Sequence, residues 1–495
     1  MSGSIVFEIS LDRPVRGSRE GGKALYTQLR AAILDGRLTP GLKLPVGRDS
    51  HRAFGVSRNT AVNVYERLAA EGLVVTRPGA GTFVAERRRR APSAQKERRP
   101  ARDPRLNPFW ARQEITTAMN FWRDPPGRTK QVSPAPIDFR PALIDSRLFP
   151  FDVFRRVTTK QLRRLERRPA SFKSPQGNQG HFPLRDAISQ HIAVTRAVVC
   201  QPDDVLVTAG AQQAFDVLAR SLVTPGVTTV AIEDPGYPPM RVAFAAAGAK
   251  IVPIGVDAEG LLVDTLPADV QVICVCPSHQ FPLGVSMSAR RRRALLNVAR
   301  NRGAVIVEDD YDGEFRYEGS SIEALRSTAS REVVFHVGTF SKCMLPAIRL
   351  GFVIAPAWAM RTLIAVKNSL DWHCPTPLQM GVALFIREGH LTRHVRKMRD
   401  VYGKRRRLLL DILAREFRGR LETIPSYYGM HIAAFAQDAA QFDRRSGTLL
   451  TSSVRVHTLR RYYLAGPKLS GFVFGFGAAD VSEIERGLSL MRRAW

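Results

Sequence analysis

Lys342 is the side chain with the clearest capacity for covalent chemistry in this sequence. The apolar run from Val333 to Val337 is rich in β-branched residues and predicts a buried strand. The polar segment Gly338-Thr-Phe-Ser ends that strand in a loop, which places the lysine at a strand end. A lysine that is partly removed from water can form a Schiff base with an aldehyde.

Three residues close to the lysine are suited to a phosphate group. Thr339 and Ser341 offer hydroxyls, and Arg349 offers a guanidinium whose geometry matches phosphate oxygens. An aldehyde that also carries a phosphate is therefore the expected ligand, and pyridoxal 5'-phosphate is the obvious candidate. An isolated Ser-Lys pair is more often a solvated surface feature, so the prediction depends on further segments.

The segment from Ala304 to Asp312 predicts a second buried strand, which ends in acidic residues. A carboxylate at such a strand end can pair with a pyridinium nitrogen and keep it protonated, and the ring is an electron sink only in that form. We expect Asp309 to be this carboxylate. Tyr311 lies two residues further on, on the same strand face, and we expect its phenol to bond the cofactor's O3' atom.

Five segments occur in the order and spacing of a known family: Thr208-Ala-Gly-Ala-Gln-Gln-Ala-Phe-Asp216, Glu233-Asp-Pro-Gly-Tyr237, Pro277-Ser-His-Gln-Phe-Pro-Leu-Gly284, Glu308-Asp-Asp-Tyr311, and Ser341-Lys342 with Arg349. Residues from about Pro136 to Trp495 resemble a fold type I aminotransferase, and the whole chain resembles the MocR/GabR-type regulators of the GntR superfamily. The resemblance implies an α/β body with a mostly parallel sheet, helices on both sheet faces and a small C-terminal α+β subdomain.

Three further residues are expected to contact the cofactor. Ala211 and Gln212 open the helix after the strand Val205 to Thr208, and their backbone N–H groups are suited to a phosphate dianion. The alternative is an ordinary strand-to-helix turn without a ligand. The resemblance implies that Tyr237 stacks on the pyridine ring, and the alternative is a turn aromatic packed on the body.

Three positions depart from the aminotransferase pattern. Phe172 stands where the family carries a tyrosine that reaches the neighbouring subunit's cofactor phosphate. Phe281 stands where an asparagine bonds O3', although His279 and Gln280 could substitute for it. Val473 stands where amino-acid aminotransferases place an arginine that clamps the substrate carboxylate. The lysine chemistry is thus retained while features that favour turnover are missing, which favours ligand sensing over catalysis.

The N-terminal region has the pattern of a winged helix-turn-helix. Helices are predicted from Ala24 to Leu34 and from Arg48 to Phe54, and Ser57 is expected to cap a third helix after a Gly turn. The segment from Gly72 to Val84 predicts two short strands about a Pro-Gly turn. The inward residues of the third helix are expected to be Val62, Tyr65 and Leu68. Over about 65 residues, this pattern of helices and strands resembles the GntR-type winged helix.

The first turn of the third helix is expected to enter the major groove of double-stranded DNA. Arg58 can reach the O6 and N7 atoms of guanine, whereas Asn59 and Thr60 can contact an adenine edge or a phosphate. Backbone contacts are expected from Arg48, Ser57 and Arg77, and a close approach of the wing to the minor groove is expected at Gly79. The alternative is a three-helix interaction module with exposed basic residues.

The chain carries 74 basic and 45 acidic residues, a formal net charge of +29 and a sequence pI near 10.8. This balance favours a polyanionic partner, nucleic acid first and a membrane surface second, although a basic proteome would also produce it. The five cysteines are odd in number, lack paired spacing and indicate reduced thiols. Without a signal peptide or a long apolar run, we expect a cytoplasmic bacterial protein that is nucleoid-associated when bound to DNA.

Composition divides the chain into four predicted regions. Residues 1–22 form a polar tail, 23–85 the DNA-binding domain, 86–136 a basic linker rich in Pro and Arg, and 137–495 the cofactor-binding body. We expect a homodimer without membrane contact, so that two heads read two half-sites. The predicted function is a transcriptional regulator that senses a small amine, an amino acid or a B6 vitamer. The alternative is an active aminotransferase with an ancillary DNA-binding head.

Overall fold

The computed structural model describes residues 20–45, 48–85, 105–121, 137–167, 177–319, 323–328, 331–451, 454–466 and 468–495. The chain forms two compact units, Met1–Asp103 and Pro104–Trp495, which are called the head and the body below. The predicted N-terminal tail lies outside the described residues, except for its last three positions.

The head is a three-helix unit with a small antiparallel sheet. Its helices are α1 (Glu20–Leu34), α2 (Arg48–Phe54) and α3 (Arg58–Ala70), and its strands are β1 (Lys43–Leu44), β2 (Val74–Arg77) and β3 (Gly81–Val84). The strands pair in the order β1-β3-β2. Gly55 sits in the turn between α2 and α3 with a φ of 69°, a conformation that favours glycine. The expected winged helix-turn-helix is therefore confirmed.

The N-terminus of α3 is capped as the sequence predicts. Ser57 has extended backbone angles, and its hydroxyl accepts a hydrogen bond from the backbone N–H of Thr60 at 3.2 Å. Such a cap satisfies one of the backbone donors that the first turn of a helix leaves unpaired. The position of the predicted recognition helix along the chain is thus fixed by a local interaction.

The buried face of α3 differs from the predicted one. Val62 is 44% exposed, whereas Ala61, Val64, Tyr65 and Leu68 are buried. The prediction of an inward Val62 was wrong because it assumed a strict spacing of three residues. The buried residues follow one another at spacings of three, one and three residues, so that they lie on one face of a helix with 3.6 residues per turn.

The body begins before the predicted end of the linker. A one-turn 3-10 helix (Pro108–Ala111) leads into α4 (Gln113–Met119), whose Ile115 and Ala118 are buried against Val242. Part of the range predicted as a linker therefore packs on the body. The remaining linker residues, 86–104 and 122–136, lie outside the described residues.

An eight-stranded sheet forms the centre of the body. After the short strand β4 (Ile137–Asp138), its strands are β5 (Val205–Thr208), β6 (Thr229–Asp234), β7 (Lys250–Asp257), β8 (Gly260–Leu261), β9 (Val270–Val275), β10 (Val305–Asp310), β11 (Val334–Thr339) and β12 (Gly351–Ile354). Their order is β5-β12-β11-β10-β9-β6-β7-β8. Strands β11, β10, β9, β6 and β7 pair in parallel, whereas β12 and β8 run antiparallel to their neighbours. The mostly parallel sheet is therefore confirmed.

Helices cover both faces of this sheet, as expected for an α/β fold. They are α5 (Phe151–Arg167), α6 (Phe182–Arg196), α7 (Ala211–Leu222), α8 (Pro238–Ala246), α9 (Ala289–Arg302), α10 (Leu325–Thr328), α11 (Ala357–Asp371) and α12 (Thr376–Arg387). The side chains of consecutive strand residues point to opposite faces of the sheet, so two neighbouring residues of β10 pack against different helices. Val307 packs with Phe215 of α7 and Leu363 of α11, while Ile306 packs with Leu295 of α9.

A smaller α+β subdomain completes the body. Its elements are α13 (His390–Glu416), β13 (Leu421–Thr423), β14 (His431–Ala436), α14 (Ala439–Thr451), β15 (Val454–Arg455), β16 (His457–Thr458), β17 (Gly471–Gly475) and α15 (Val481–Ala494). Four strands form an antiparallel sheet in the order β13-β14-β17-β16, and β15 pairs in parallel with β4. The chain segment at residue 137 is thereby tied to the C-terminal subdomain.

At 27 residues, α13 is the longest helix in the described part of the chain, and its sequence is rich in Arg and Lys. Neither this helix nor any other within the described ranges has the length and apolarity needed to cross a membrane.

Candidate functional site

A cavity of about 310 Å³ lies at the carboxyl ends of β10 and β11. Parallel strands present their carboxyl ends at one edge of a sheet, where ligands of α/β proteins commonly bind. All nine residues that the sequence predicts for the cofactor line this cavity: Ala211, Gln212, Tyr237, Asp309, Tyr311, Thr339, Ser341, Lys342 and Arg349. Residues from five separate chain segments are thus brought together.

Lys342 lies in the turn that follows β11. Its Nζ donates a hydrogen bond to the backbone oxygen of Ala142. Burial lowers the pKa of Lys342 to about 8, although the carboxylates of Asp312 and Asp309 act in the opposite direction. A lysine with this pKa carries a substantial neutral fraction near physiological pH, and the neutral amine is the form that attacks an aldehyde.

Asp309 faces the same cavity from the end of β10. Burial, together with the charges of Asp310 and Asp312, raises the pKa of Asp309 to about 8. Its Oδ2 atom lies 3.8 Å from the Cys276 thiol, whereas its Oδ1 atom is buried and has no hydrogen-bond partner among the described residues. A protonated ring nitrogen at this position would supply the missing donor and favour the ionised carboxylate.

The N-terminus of α7 forms another wall of the cavity. Gly210 caps the helix with a φ of 81°, and a Cβ atom at this position would lie 3.0 Å from Nη2 of Arg349. Glycine therefore allows the guanidinium to approach the first turn, which contains Ala211 and Gln212. Arg349 itself has a φ of 49°, which is uncommon for a residue with a side chain, and its Nη2 donates to the Ala209 oxygen at 3.1 Å.

Two hydroxyls lie on the β11 side of the cavity. The Thr339 hydroxyl donates to the Ser341 hydroxyl at 3.0 Å, and the Ser341 backbone N–H donates to the Thr339 hydroxyl at 3.2 Å. With Arg349 and the positive end of the α7 dipole, these groups form a surface suited to a phosphate dianion.

Aromatic side chains line a further part of the cavity. Tyr237 precedes α8 and packs edge to face against Phe281, with ring centroids 5.6 Å apart. It also contacts Phe121 of the early body segment at 6.2 Å. Phe281 occupies the position at which the resemblance implies an asparagine, and a phenyl ring cannot donate a hydrogen bond to a cofactor oxygen.

Tyr311 lines the cavity and also contacts a buried histidine behind it. The Tyr311 hydroxyl lies 2.9 Å from Nδ1 of His279, and the same nitrogen lies 3.0 Å from Oδ2 of Asp312. Burial raises the pKa of Tyr311 well above its usual value, and neighbouring carboxylates add to this effect. The phenol is therefore neutral at physiological pH and able to donate.

The sequence predictions missed four residues that line the cavity, namely Arg140, Ala142, Leu143 and Pro346. Arg140 is held by Asp138, with Nε 3.0 Å from Oδ1 and Nη2 2.6 Å from Oδ2. The segment containing Arg140 lies about 200 residues before Lys342 and carries no spacing motif, so only its charge at the start of the body could have drawn attention to it.

Of the three residues that depart from the aminotransferase pattern, two lie within the described residues, and only one of these lines the cavity. Phe281 lines the cavity, as described above. Val473 is buried in β17, in one apolar cluster with Phe281 and Tyr311. Phe172 lies outside the described residues. The position expected to carry a carboxylate-binding arginine is therefore part of an apolar core.

The predicted DNA-contacting residues of the head cluster at the start of α3. Ser57, Arg58 and Asn59 are exposed, and Thr60 is half-buried because its backbone N–H and hydroxyl contact Ser57. Arg58 is the first residue of the helix, which is the position from which a recognition helix reaches base edges. Arg48 begins α2, and its side chain lies outside the described residues.

The wing of the head presents the remaining two predicted contacts. Arg77 ends β2 and is exposed, with its guanidinium 5.3 Å from the ring centre of Phe83. Gly79 lies in the β2–β3 turn with a φ of 73° and nothing within 4 Å of a Cβ atom built on it. A backbone without a side chain at this tip can approach a phosphate or a groove closely.

Two protein families match this chain. The family described as aminotransferase class I and II matches residues 148–466, and the family described as bacterial regulatory proteins, gntR family, matches residues 22–84. The cofactor of the first family is pyridoxal 5'-phosphate, and the described residues fit it. The buried Lys342 suits the aldehyde, the unpartnered Oδ1 of Asp309 suits the ring nitrogen, and the α7 N-terminus with Arg349 suits the phosphate.

Comparisons over the full length agree with these matches. The chain is 31% identical over 477 residues to the probable rhizopine catabolism regulatory protein MocR of Rhizobium meliloti, covering 96% of this chain and 93% of that protein. It is 30% identical over 458 residues to the HTH-type pyridoxine biosynthesis transcriptional regulator PdxR of Corynebacterium glutamicum, covering 92% of each. The crystal structure of an archaeal alanine:glyoxylate aminotransferase matches the fold with a TM-score of 0.67 at 24% identity, covering 78% of this chain and 95% of that one. The chain thus belongs to the MocR-type transcriptional regulators, which join a DNA-binding GntR-family head to an aminotransferase-like body.

Proposed function

We propose that the body binds pyridoxal 5'-phosphate through Lys342, senses a small amine, an amino acid or a B6 vitamer, and thereby controls DNA binding by the head. The observation that carries this proposal is the convergence of Lys342, Asp309 and the α7 N-terminus on one cavity. The same chain carries a winged helix with an exposed first turn of α3. A ligand site and a DNA-binding unit in one chain are what a ligand-controlled regulator requires.

When bound, the cofactor supplies an aldehyde that exchanges amines and a ring that withdraws electrons. Lys342 acts as the nucleophile, and burial keeps part of it neutral. Asp309 holds the proton on the ring nitrogen, because its Oδ1 accepts no other described donor. Arg349 and the first turn of α7 bind the phosphate. Tyr237 and Phe281 provide an apolar wall that limits access of water.

The composition of the cavity also bears on the choice between sensing and turnover. An arginine in β17 would fix an α-carboxylate, but that strand carries the buried Val473. Loss of a charged hydrogen bond reduces binding by about 1.5 to 3 kcal/mol. A carboxylate on the ligand is therefore not fixed by an arginine from β17. The relative PdxR is named for pyridoxine biosynthesis, which supports the inclusion of B6 vitamers among the effectors.

The DNA side of the proposal rests on the head. Arg58 contacts guanine in the major groove, with Asn59 and Thr60 beside it, while Arg77 and Gly79 approach the backbone from the wing. A homodimer of the body would present two heads to two half-sites of double-stranded DNA. Ligand binding in the two cavities would then change the spacing or orientation at which the heads bind.

The proposal is tested with the cofactor-loaded protein and DNA from upstream of its own gene. A panel of amines, amino acids and B6 vitamers is screened for changes in the visible absorbance, and DNA affinity is measured by fluorescence anisotropy with each ligand. We expect at least one ligand that shifts the absorbance to change the Kd for DNA by about tenfold, a usual size for coupling between sites. Unchanged DNA affinity for every ligand that alters the spectrum would refute the sensing role.

The test variant is Lys342→Ala, and its control is Lys160→Ala. Lys160 lies on α5 with its side chain 69% exposed, so its removal changes charge without touching the cavity. Lys160→Ala should respond to ligands as the wild type does, whereas Lys342→Ala should lose both the absorbance and the response. A ligand response retained by Lys342→Ala would assign sensing to another site.

The second candidate function is an aminotransferase with an ancillary DNA-binding head. The match of residues 148–466 to the aminotransferase family and the presence of Lys342 favour it. Steady turnover with an amino donor and a 2-oxo acid acceptor at about 1 s⁻¹ or faster, the lower end of ordinary enzyme rates, would support this function. Conversion limited to a single half-reaction would support sensing.

A further inference from the structure

Three buried side chains form a hydrogen-bonded row behind the cofactor cavity. The Tyr311 hydroxyl lies 2.9 Å from Nδ1 of His279, and this nitrogen lies 3.0 and 3.1 Å from the two carboxylate oxygens of Asp312. The side chains of His279 and Asp312 are 1% and 2% exposed. Tyr311 alone of the three lines the cavity, so the row connects the cavity wall to a carboxylate inside the protein.

The position of the proton on His279 follows from its partners. An ionised carboxylate can only accept hydrogen bonds, so Nδ1 must carry a hydrogen in order to bond Asp312. A protonated Nδ1 cannot accept a hydrogen bond from the Tyr311 phenol. The Tyr311 oxygen therefore lies beside the N–H donor of His279, and the hydrogen of the Tyr311 hydroxyl is directed away from His279. Nε2 of His279 is buried without a partner in the described residues, which suits a lone pair better than an N–H group.

Packing holds the imidazole ring in this orientation. Its centroid lies 4.5 Å from that of His431, whose Nε2 donates to the Pro282 oxygen at 2.9 Å. Gly429 also packs closely against the ring, because a Cβ atom at this position would lie 2.0 Å from Nδ1 of His279. Any side chain at residue 429 would displace the ring, so the backbone there is shaped around His279.

We propose that His279, held by Asp312, is a positioning residue that directs the Tyr311 hydroxyl hydrogen to the ring oxygen of the bound cofactor. The need for such a device follows from Phe281, which lines the cavity without any hydrogen-bond donor. Tyr311 is then left to supply the bond to that oxygen, and a freely rotating hydroxyl would supply it only part of the time. This inference rests on cofactor binding as proposed above, but it requires neither an effector nor DNA.

Several titratable groups face this row, and none of them is substituted in the test. Those that face Tyr311 are Glu233, Cys276, Asp309 and Asp312, and His431 faces His279. Lys342 is influenced by Asp312, Asp309 and Arg349. Replacement of His279 by an apolar residue also removes the hydrogen-bond partner of Asp312, so a spectral change is assigned to the phenol only if the same replacement has no effect when Tyr311 is already phenylalanine.

The experiment is a pH titration of the visible absorbance of the cofactor-loaded protein. A hydrogen bond donated to the ring oxygen stabilises the form in which that oxygen carries its full negative charge, so it lowers the pH at which the cofactor loses its proton. His279→Phe should therefore raise the titration midpoint by about one pH unit, the equivalent of one hydrogen bond. Tyr311→Phe should raise it in the same direction. The double variant should match Tyr311→Phe alone, because His279 acts through the phenol.

The structure offers a matched control in a second buried histidine–tyrosine pair. Nδ1 of His457 lies 2.8 Å from the Tyr462 hydroxyl, and neither residue lines the cavity. His457→Phe should leave the midpoint unchanged. His279→Asn, which keeps an N–H donor close to the position of Nδ1, should restore most of the wild-type midpoint. His279→Leu replaces the phenylalanine variant if circular dichroism shows that the latter is unfolded.

Three results would overturn the proposal. One is an unchanged midpoint in a folded His279 variant that binds the cofactor. Another is an equal shift from His279→Phe in the presence and absence of the Tyr311 hydroxyl. The third is an equal shift in the His457 control. Because no effector or DNA is present, these results are independent of whether the protein senses a ligand.

Discussion

The reactivity of Lys342 provides the sharpest test of how the cavity works. Burial lowers the pKa of Lys342 to about 8, from the value of 10.5 of an ordinary lysine. At pH 7 a lysine with a pKa of about 8 is roughly 9% neutral, whereas one with a pKa of 10.5 is roughly 0.03% neutral. The cavity therefore raises the concentration of the reactive amine by about 300-fold at pH 7.

This value predicts the pH dependence of cofactor loading. Apo-protein is mixed with pyridoxal 5'-phosphate at a series of pH values, and the rate at which the visible absorbance appears is measured. The rate should rise about tenfold per pH unit below pH 8 and become flat above it, because the neutral amine is the nucleophile. Asp312→Asn should extend the flat region to lower pH, since the Asp312 carboxylate raises the pKa of Lys342.

Two controls accompany this measurement. Lys342→Ala should show no loading rate, and Lys160→Ala should reproduce the wild-type profile because its side chain is exposed on α5. A rate that still rises tenfold between about pH 9 and pH 10 would show an ordinary lysine pKa and refute the reasoning from burial. A plateau in Asp312→Asn that begins at a higher pH than in the wild type would contradict the assigned electrostatics.

Four further predictions concern the head, the cavity and the assembly. Arg58→Ala should weaken specific DNA binding by about 1 to 3 kcal/mol per lost base contact, measured by fluorescence anisotropy against a scrambled duplex. Ser57→Ala should destabilise the head by about 1 kcal/mol, measured by thermal unfolding, because it removes the bond to the Thr60 N–H, while Ser57→Thr should retain most of the stability. Asp309→Asn should release the cofactor faster on dialysis, and equal retention would remove Asp309 from the site. Light scattering should give the mass of two chains, and a monomer would contradict the proposed dimer.

Local sequence patterns predicted the parts of the fold that local physics determines. The strand Val205–Thr208 matches its predicted bounds, because a β-branched apolar run ended by a polar loop leaves little alternative. The Ser57 cap was predictable for the same reason. The inward face of α3 was mispredicted at Val62, where a spacing of three residues was used in place of the helical period of 3.6.

The parts of the site that sequence could not predict depend on contacts between distant segments. Ala142 accepts the hydrogen bond of Lys342 across 200 residues, and no local pattern indicates that approach. The contact of Tyr311 with His279 and Asp312 likewise arises only when β9 and β10 lie side by side. Each residue type suggested a role, but the sheet register decides which side chains meet.

The electrostatics of the cavity explain why it suits a ligand that carries both an aldehyde and a protonated ring nitrogen. Burial moves the pKa values of Lys342 and Asp309 toward each other, to about 8 in both cases, so at pH 7 Asp309 is mostly protonated while roughly 9% of Lys342 is neutral. An ionised Asp309 would be costly in this buried position, and its raised pKa keeps the carboxyl mostly protonated below about pH 8 until a donor is bound. A ring nitrogen that brings its own positive charge gives Asp309 a partner and lowers its pKa again. The same ligand needs a neutral Lys342, so a single environment prepares the acid and the amine for their opposite roles.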